Sequence, residues 1–101
     1  MTIQARLSED GEELTISIAG RFDFSSHQAF RDAYERVPGR PRRYLIDLRE
    51  ATYLDSSALG MLLLLRDHAG GERARIQLIN SSPEVRKILS ISNFEQLFRI
   101  D

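Results

Sequence analysis

Two stretches near the N-terminus alternate apolar and polar positions. Ile3, Ala5 and Leu7 mark the first, Leu14, Ile16 and Ile18 the second, and Ser8-Glu9-Asp10-Gly11 between them is a turn signal. A period of two sends successive side chains to opposite faces of a strand, so the pattern predicts a β-hairpin of two half-buried strands. After Gly20-Arg21-Phe22-Asp23-Phe24 the period lengthens. Phe30, Ala33, Tyr34 and Val37 recur at i, i+3, i+4, i+7, the spacing of one helix face. Ser25 or Ser26 can cap that helix, and Pro38-Gly39-Arg40-Pro41 stops it at about Val37.

Tyr44-Leu45-Ile46-Asp47-Leu48 is nearly continuous in apolar content, the pattern of a strand covered on both faces. A short connector then leads to Tyr53-Leu54-Asp55-Ser56-Ser57, which opens a strongly apolar helix running to about His68 and ended by Gly70-Gly71. Residues 75–79 read as another strand. Ser82-Pro83-Glu84 sets a hydroxyl cap, a proline at the first helical position and an acid in the first turn. Val85, Ile88 and Leu89, with Ile91 at the end, form the apolar stripe of that helix. Residues 94–100 read as a short turn and a small final strand. The order β-β-α-β-α-β-α-(β) predicts an α/β fold, a mixed β-sheet with helices packed mainly against one face. No repeat, linker or low-complexity tract divides the chain, so residues 1–101 are expected to form a single domain.

The helix after Asp55 carries more apolar surface than one core-facing stripe requires. Ala58, Met61, Leu62 and Leu65 cluster on one side at 100° per residue, the expected core face. Ser56 projects away from it, with Gly60, Leu63, Leu64 and Asp67 along the same outer side. The two outer leucines have two explanations: burial by neighbouring elements, or an apolar strip for another protein, with Gly60 letting its backbone approach.

Composition narrows the function more by exclusion than by pointing. A net charge of −1 offers no field to attract nucleic acid. The lack of cysteine removes disulfides, thiolate metal sites and thiol catalysis. The longest apolar run, residues 61–65, falls far short of the roughly 20 residues of a membrane span. No charged-then-apolar signal pattern opens the chain, and a cytoplasmic, monomeric protein is expected.

The candidate chemistry lies at Asp55-Ser56-Ser57. Unpaired N–H groups and the positive dipole end at a helix N-terminus satisfy a capping oxygen, and they equally favour a phosphate. Ser56 is therefore either a cap or a phosphorylation site. A catalytic serine is disfavoured, because Gly-x-Ser-x-Gly is missing and only His27 and His68, both expected on the surface, could serve as bases. Phosphate-loop, dinucleotide and zinc motifs do not occur, and the spacing of Asp23, Asp47 and Asp55 fits no standard metal loop. The expectation is a protein that is not an enzyme and holds no metal or cofactor.

The whole arrangement resembles the single-domain bacterial anti-sigma factor antagonists, which have the STAS fold. The resemblance rests on Gly20-Arg21-Phe22-Asp23, on the strand Tyr44 to Leu48, on Tyr53-Leu54-Asp55-Ser56-Ser57-Ala58-Leu59-Gly60, on Gly70-Gly71 and on Asn80-Ser81-Ser82-Pro83-Glu84-Val85. It implies signal transduction and transcription regulation by partner switching. The unphosphorylated form of such a protein binds an anti-sigma factor, usually also a serine kinase with a histidine-kinase-like ATP fold, and a sigma factor is released. The kinase then phosphorylates the serine after the motif aspartate, which corresponds to Ser56 (Ser57 being the second choice). The phosphorylated form lets go, and a metal-dependent serine phosphatase resets it.

By the same resemblance Asp23 lies near the phosphorylated serine and the partner surface, so the expected partner-binding residues are Asp23, Asp55, Ser57, Gly60, Leu63 and Leu64. ATP and metal belong to the partners. Ala58 departs from the glycine many members carry there, and alanine suits a right-handed helix better. The chain also stops soon after the last expected strand, before the family's C-terminal helix. The competing expectation is a STAS scaffold or ligand-binding module in a sensory or transport-linked assembly, which never meets a kinase.

Overall fold

The alternating segments pair as the pattern predicts. In the computed structural model, which describes residues 2–101, β1 (Thr2–Leu7) and β2 (Glu13–Phe22) run antiparallel with Leu7 opposite Leu14 and Ile3 opposite Ile18. Met1, the first residue of the expected domain, lies outside the described residues. The turn is stitched by Ser8, whose hydroxyl donates to Asp10 Oδ1 at 2.6 Å and accepts from the Glu13 amide at 3.0 Å.

The rest of the chain adds α1 (His27–Glu35), β3 (Arg43–Leu54), α2 (Ser56–His68), β4 (Ile76–Ile79), α3 (Pro83–Ile91) and β5 (Arg99–Ile100). These residues form a five-stranded sheet in the order β1-β2-β3-β4-β5, parallel from β2 onward. Each parallel neighbour is reached through one helix, and the strands are laid down in a single direction. Right-handed crossovers therefore return every helix to the same side.

That topology corrects the expectation that β3 is covered on both faces. Tyr44, Ile46 and Leu48 are buried under the helices, whereas Leu45 and Asp47 are only half-buried on the open face. On the covered side Leu14, Ile16, Ile18, Ile46, Leu48 and Leu78 meet Phe30 and Tyr34 of α1, Met61, Leu62 and Leu65 of α2, and Val85 and Leu89 of α3 in one apolar cluster. Burying each large aliphatic side chain here contributes roughly 1.5–3 kcal/mol.

β3 also continues through the segment expected to be a connector. Between Ser17–Asp47 and Ala19–Glu50 it advances three residues to two of β2, and between Gly20–Ala51 and Arg21–Tyr53 two to one. These are β-bulges, each adding one residue to β3. They convert a spacing of three into a single face, so Leu48, Ala51 and Leu54 all reach the core. Gly20, across from the second bulge, has φ of +86°, a conformation that costs glycine little and other residues more.

Two helix limits shift. α1 is preceded by a 3₁₀ turn, Phe24–Ser26, and ends at Glu35 rather than Val37. Its entry is capped by Asp23 instead of Ser25 or Ser26. α3 starts as expected, with Ser82 Oγ accepting from the Val85 amide at 3.2 Å, but Ile91 at its end is 73% exposed and leaves the apolar stripe. The final turn and small strand form as expected, β5 pairing in parallel with β4.

Candidate functional site

Parallel β2 and β3 end side by side, Phe22 opposite Leu54, and each is followed directly by an aspartate that caps the next helical element. After β2, Asp23 Oδ1 accepts from the Ser25 amide at 3.0 Å and from the Ser25 hydroxyl at 2.5 Å. After β3, Asp55 Oδ1 accepts from the Ala58 amide at 2.9 Å and the Ser57 hydroxyl at 2.6 Å. The Asp55 amide donates to Phe22 O at 3.3 Å, which fastens the start of α2 to the end of β2. The 3₁₀ turn packs on α2, so both caps belong to one edge of the molecule.

Asp55, not Ser56, is the cap. Its carboxyl group has two anion-stabilising donors, and they hold its pKa below the ordinary carboxylate value. The Ser57 hydroxyl is the larger cause and the Ala58 amide the second, with the charge of Arg21 assisting. Ser57 is thereby committed to the cap and is half-buried. Ser56, the first residue of α2, is exposed, and among the described residues no group hydrogen-bonds its hydroxyl. The two serines thus differ in availability although they are adjacent.

The expected helix faces are borne out on the core side: Ala58, Met61, Leu62 and Leu65 are all buried. On the outer side both leucines are open, Leu63 at 39% and Leu64 at 53% exposure. Gly60 lies one turn beyond Ser56, and a Cβ built on it would meet no atom within 4 Å. Internal packing therefore does not require a glycine there. Ser56, Gly60 and Leu63 succeed one another at i, i+4, i+7 along the helix.

Three residues at this edge stand outside the expected partner-binding set, although Arg21 and Tyr53 belong to the motifs that carry the resemblance. Phe24, directly after the Asp23 cap, is 71% exposed and stacks on the His27 ring at 5.6 Å between centroids. Tyr53, opposite Arg21 in the sheet, is also exposed. The Arg21 guanidinium carbon lies 4.6 Å from the centre of the Tyr53 ring, and its Nε is 4.0 Å from Asp23 Oδ2. A cation over an aromatic face is worth about 0.5–1 kcal/mol at an exposed site. The available signal for Phe24 is its position outside the i, i+3, i+4, i+7 set of α1.

The histidines stand at the helix start and helix end where they were expected, but less open than free surface residues. Both are half-buried, His27 against Phe24 and His68 against Tyr34 at 4.9 Å between ring centres, where they line the groove between α1 and α2. Asp47 is held apart on the open face of the sheet, accepting from Asn80 Nδ2 at 3.1 Å and the Arg49 amide at 3.0 Å. Asp23 and Asp55 are thus brought together and Asp47 is not.

Fold and site define a STAS domain. The family described as "Mlab, STAS domain" matches residues 5–99, and the chain belongs to that family. A STAS-domain containing protein of Pseudomonas aeruginosa (strain UCBPP-PA14) is 76% identical over 100 residues, 99% of each chain. Among solved structures, the anti-sigma factor antagonist SpoIIAA in its unphosphorylated form superposes with a TM-score of 0.76 at 20% identity. That match spans 99% of this chain and 87% of SpoIIAA. The phosphorylated form of the Bacillus protein gives 0.68 at 19% identity, over 99% and 91% of the two chains. At these identities the likeness is one of fold. Among the described residues no helix is long and apolar enough to cross a membrane.

Proposed function

We propose that this chain is an anti-sigma factor antagonist that works by partner switching in the cytoplasm. Its unphosphorylated form binds an anti-sigma factor with serine kinase activity and so frees a sigma factor. The observation that carries this reading is the division of labour at the start of α2. Asp55 and Ser57 complete the cap, leaving the Ser56 hydroxyl displayed and, among the described residues, unbonded, on the same helix as the partly exposed Leu63 and Leu64.

The chain supplies an acceptor rather than catalysis. ATP arrives with the kinase: Ser56 Oγ bonds to the γ-phosphorus, the bond to the bridging oxygen of ADP breaks, and the hydroxyl proton passes to a base on the kinase. The product carries about −1.5 to −2 extra charges beside Asp55. The amide groups at the start of α2 compensate them within the molecule, so the fold persists. A partner that must cover Ser56 with apolar or acidic surface instead has to desolvate the phosphate, and it leaves. A metal-dependent serine phosphatase restores the binding form.

Affinity for the cognate anti-sigma factor, found from proteins that co-purify with the unphosphorylated chain, tests the reading. Ser56→Ala keeps wild-type affinity and takes up no phosphate from the kinase. Ser56→Asp loses more than about 100-fold, the scale of a like-charge or unpaired-charge penalty of several kcal/mol in a covered interface. Equal, tight binding by both variants returns the chain to the class of STAS scaffolds that never meet a kinase. Phosphate found only on Ser57 overturns the site.

A further inference from the structure

Arg21 occupies a position that the partner switch leaves without a role. It is the residue before Phe22, opposite Tyr53, where β2 and β3 run out toward the two capping aspartates. Its guanidinium is drawn toward that edge by two neighbours of different kinds. The Tyr53 ring lies 4.6 Å beneath it, and Asp23 Oδ2 is 4.0 Å from Nε. Neither is a close bidentate pair. The Asp23 contact is at the outer limit of an ion pair, and the other Asp23 oxygen, Oδ1, is engaged by Ser25. The side chain is 64% exposed. An arginine has five N–H donors in a planar fork suited to phosphate oxygens. Held over an aromatic ring, it is positioned without its donors being spent.

We propose that Arg21 is the phosphate-binding residue of the phosphorylated protein: its guanidinium swings from Asp23 onto the phosphate on Ser56, with the Tyr53 ring as its platform. This rests on Ser56 being the phosphoacceptor and adds what receives the phosphate. Before phosphorylation the edge holds two carboxylates and one guanidinium. A phosphate raises the negative charge there by nearly two units, and it displaces Asp23 because it carries more charge and offers three acceptor oxygens. The phosphoserine is then held in its dianionic form to lower pH, and Asp23 is left without its cation at the surface the partner must cover. Asp23, the cap of the turn after β2, thus joins the phosphate in repelling that partner in the phosphorylated state.

The test uses the full chain with phosphoserine incorporated site-specifically at position 56, so it needs no kinase. The second ionisation of the phosphate is followed by phosphorus NMR in the chain with Arg21 intact, in Arg21→Gln and in Arg21→Lys, with Arg86→Gln on the exposed side of α3 as control. The expected result is an upward shift of the midpoint by about half a pH unit in Arg21→Gln, the effect of one lost unit charge at a solvated site. Arg21→Lys recovers part of it and Arg86→Gln moves nothing. An unchanged midpoint in Arg21→Gln, or an equal shift in Arg86→Gln, overturns the proposal. The partner-switch reading is judged separately, by whether the phosphoserine protein with Arg21 intact binds the anti-sigma factor. A shifted midpoint with retained binding sinks the switch and leaves the phosphate site standing, while lost binding with an unshifted midpoint does the reverse.

Discussion

The ends of β2 and β3 carry the same device with different contents. In each, an aspartate comes directly after the last strand residue and accepts from the hydroxyl two positions on, at 2.5 Å for Asp23–Ser25 and 2.6 Å for Asp55–Ser57. The residue between them is turned outward in both cases. At the first edge it is Phe24, at the second Ser56, and both are exposed. The helical elements that begin there differ too: a three-residue 3₁₀ turn that runs straight into the nine-residue α1 after Asp23, and a 13-residue α-helix after Asp55. Both starts lead into a helix with aligned peptide dipoles, but only the second places a hydroxyl at the first helical position. One local rule thus turns a phenylalanine and a serine outward side by side, and the side chain at the first helical position distinguishes the two edges.

The sharpest way to probe that comparison sets Phe22 against Phe24, two residues apart and opposite in exposure. Phe22 is fully buried and packs on Phe30 at 5.0 Å between ring centres, so Phe22→Ala costs about 3–5 kcal/mol in denaturant unfolding. Phe24→Ala leaves stability within about 0.5 kcal/mol and, if the proposed anti-sigma factor covers this edge, lowers affinity for it roughly tenfold or more, as loss of an aromatic anchor does. A Phe24→Ala protein that binds like the wild type removes the first edge from the interface and breaks the parallel.

Gly60 separates folding from function more gently. With open space around its missing Cβ, Gly60→Ala stabilises α2 by roughly 0.5–1 kcal/mol. If a partner backbone approaches there, the same change weakens partner binding. Unfolding midpoint and affinity then move in opposite directions, and a rise in both would show that the partner does not reach Gly60.

The smallest expected effect lies in the acid limb of the stability curve. The folded pKa of Asp55 is depressed, so its contribution is fully present above the ordinary carboxylate range and is lost as pH falls through the folded value. Ser57→Ala removes the larger of the two causes. Denaturant melts between neutral pH and pH about 3 should therefore fall off less steeply in Ser57→Ala than in the wild type. An identical pH slope in wild type and Ser57→Ala would deny the hydroxyl its part in the cap.

Much of the fold was legible in the chain itself. Alternation set the hairpin, the 3.6-residue period set the core faces of α1 and α2, and Ser82-Pro83-Glu84 marked α3, because each signal is local and short-range geometry decides it. The motif from Tyr53 to Gly60 marked the site for the same reason. Local patterns could not show that β3 runs on through residues 49–54, since bulges exist only against a partner strand and they disguise a core face as irregular spacing. The order of elements did predict helices mainly on one face, but the near-continuous apolar run of residues 44–48 pointed to a strand covered on both, and the direction in which successive crossovers are laid down decides for the open face.

The sequence by itself determined that a serine stands at the start of an apolar helix beside an aspartate. Only the tertiary structure decided which of two serines is free. Asp55 turns inward to complete the cap and takes Ser57 with it, and the pairing of Phe22 with Leu54 brings Asp23, Phe24, Arg21 and Tyr53 to the same edge. The two sets of residues lie far apart in the chain, and hydrogen bonding between parallel strands, which no periodicity encodes, is what makes them neighbours.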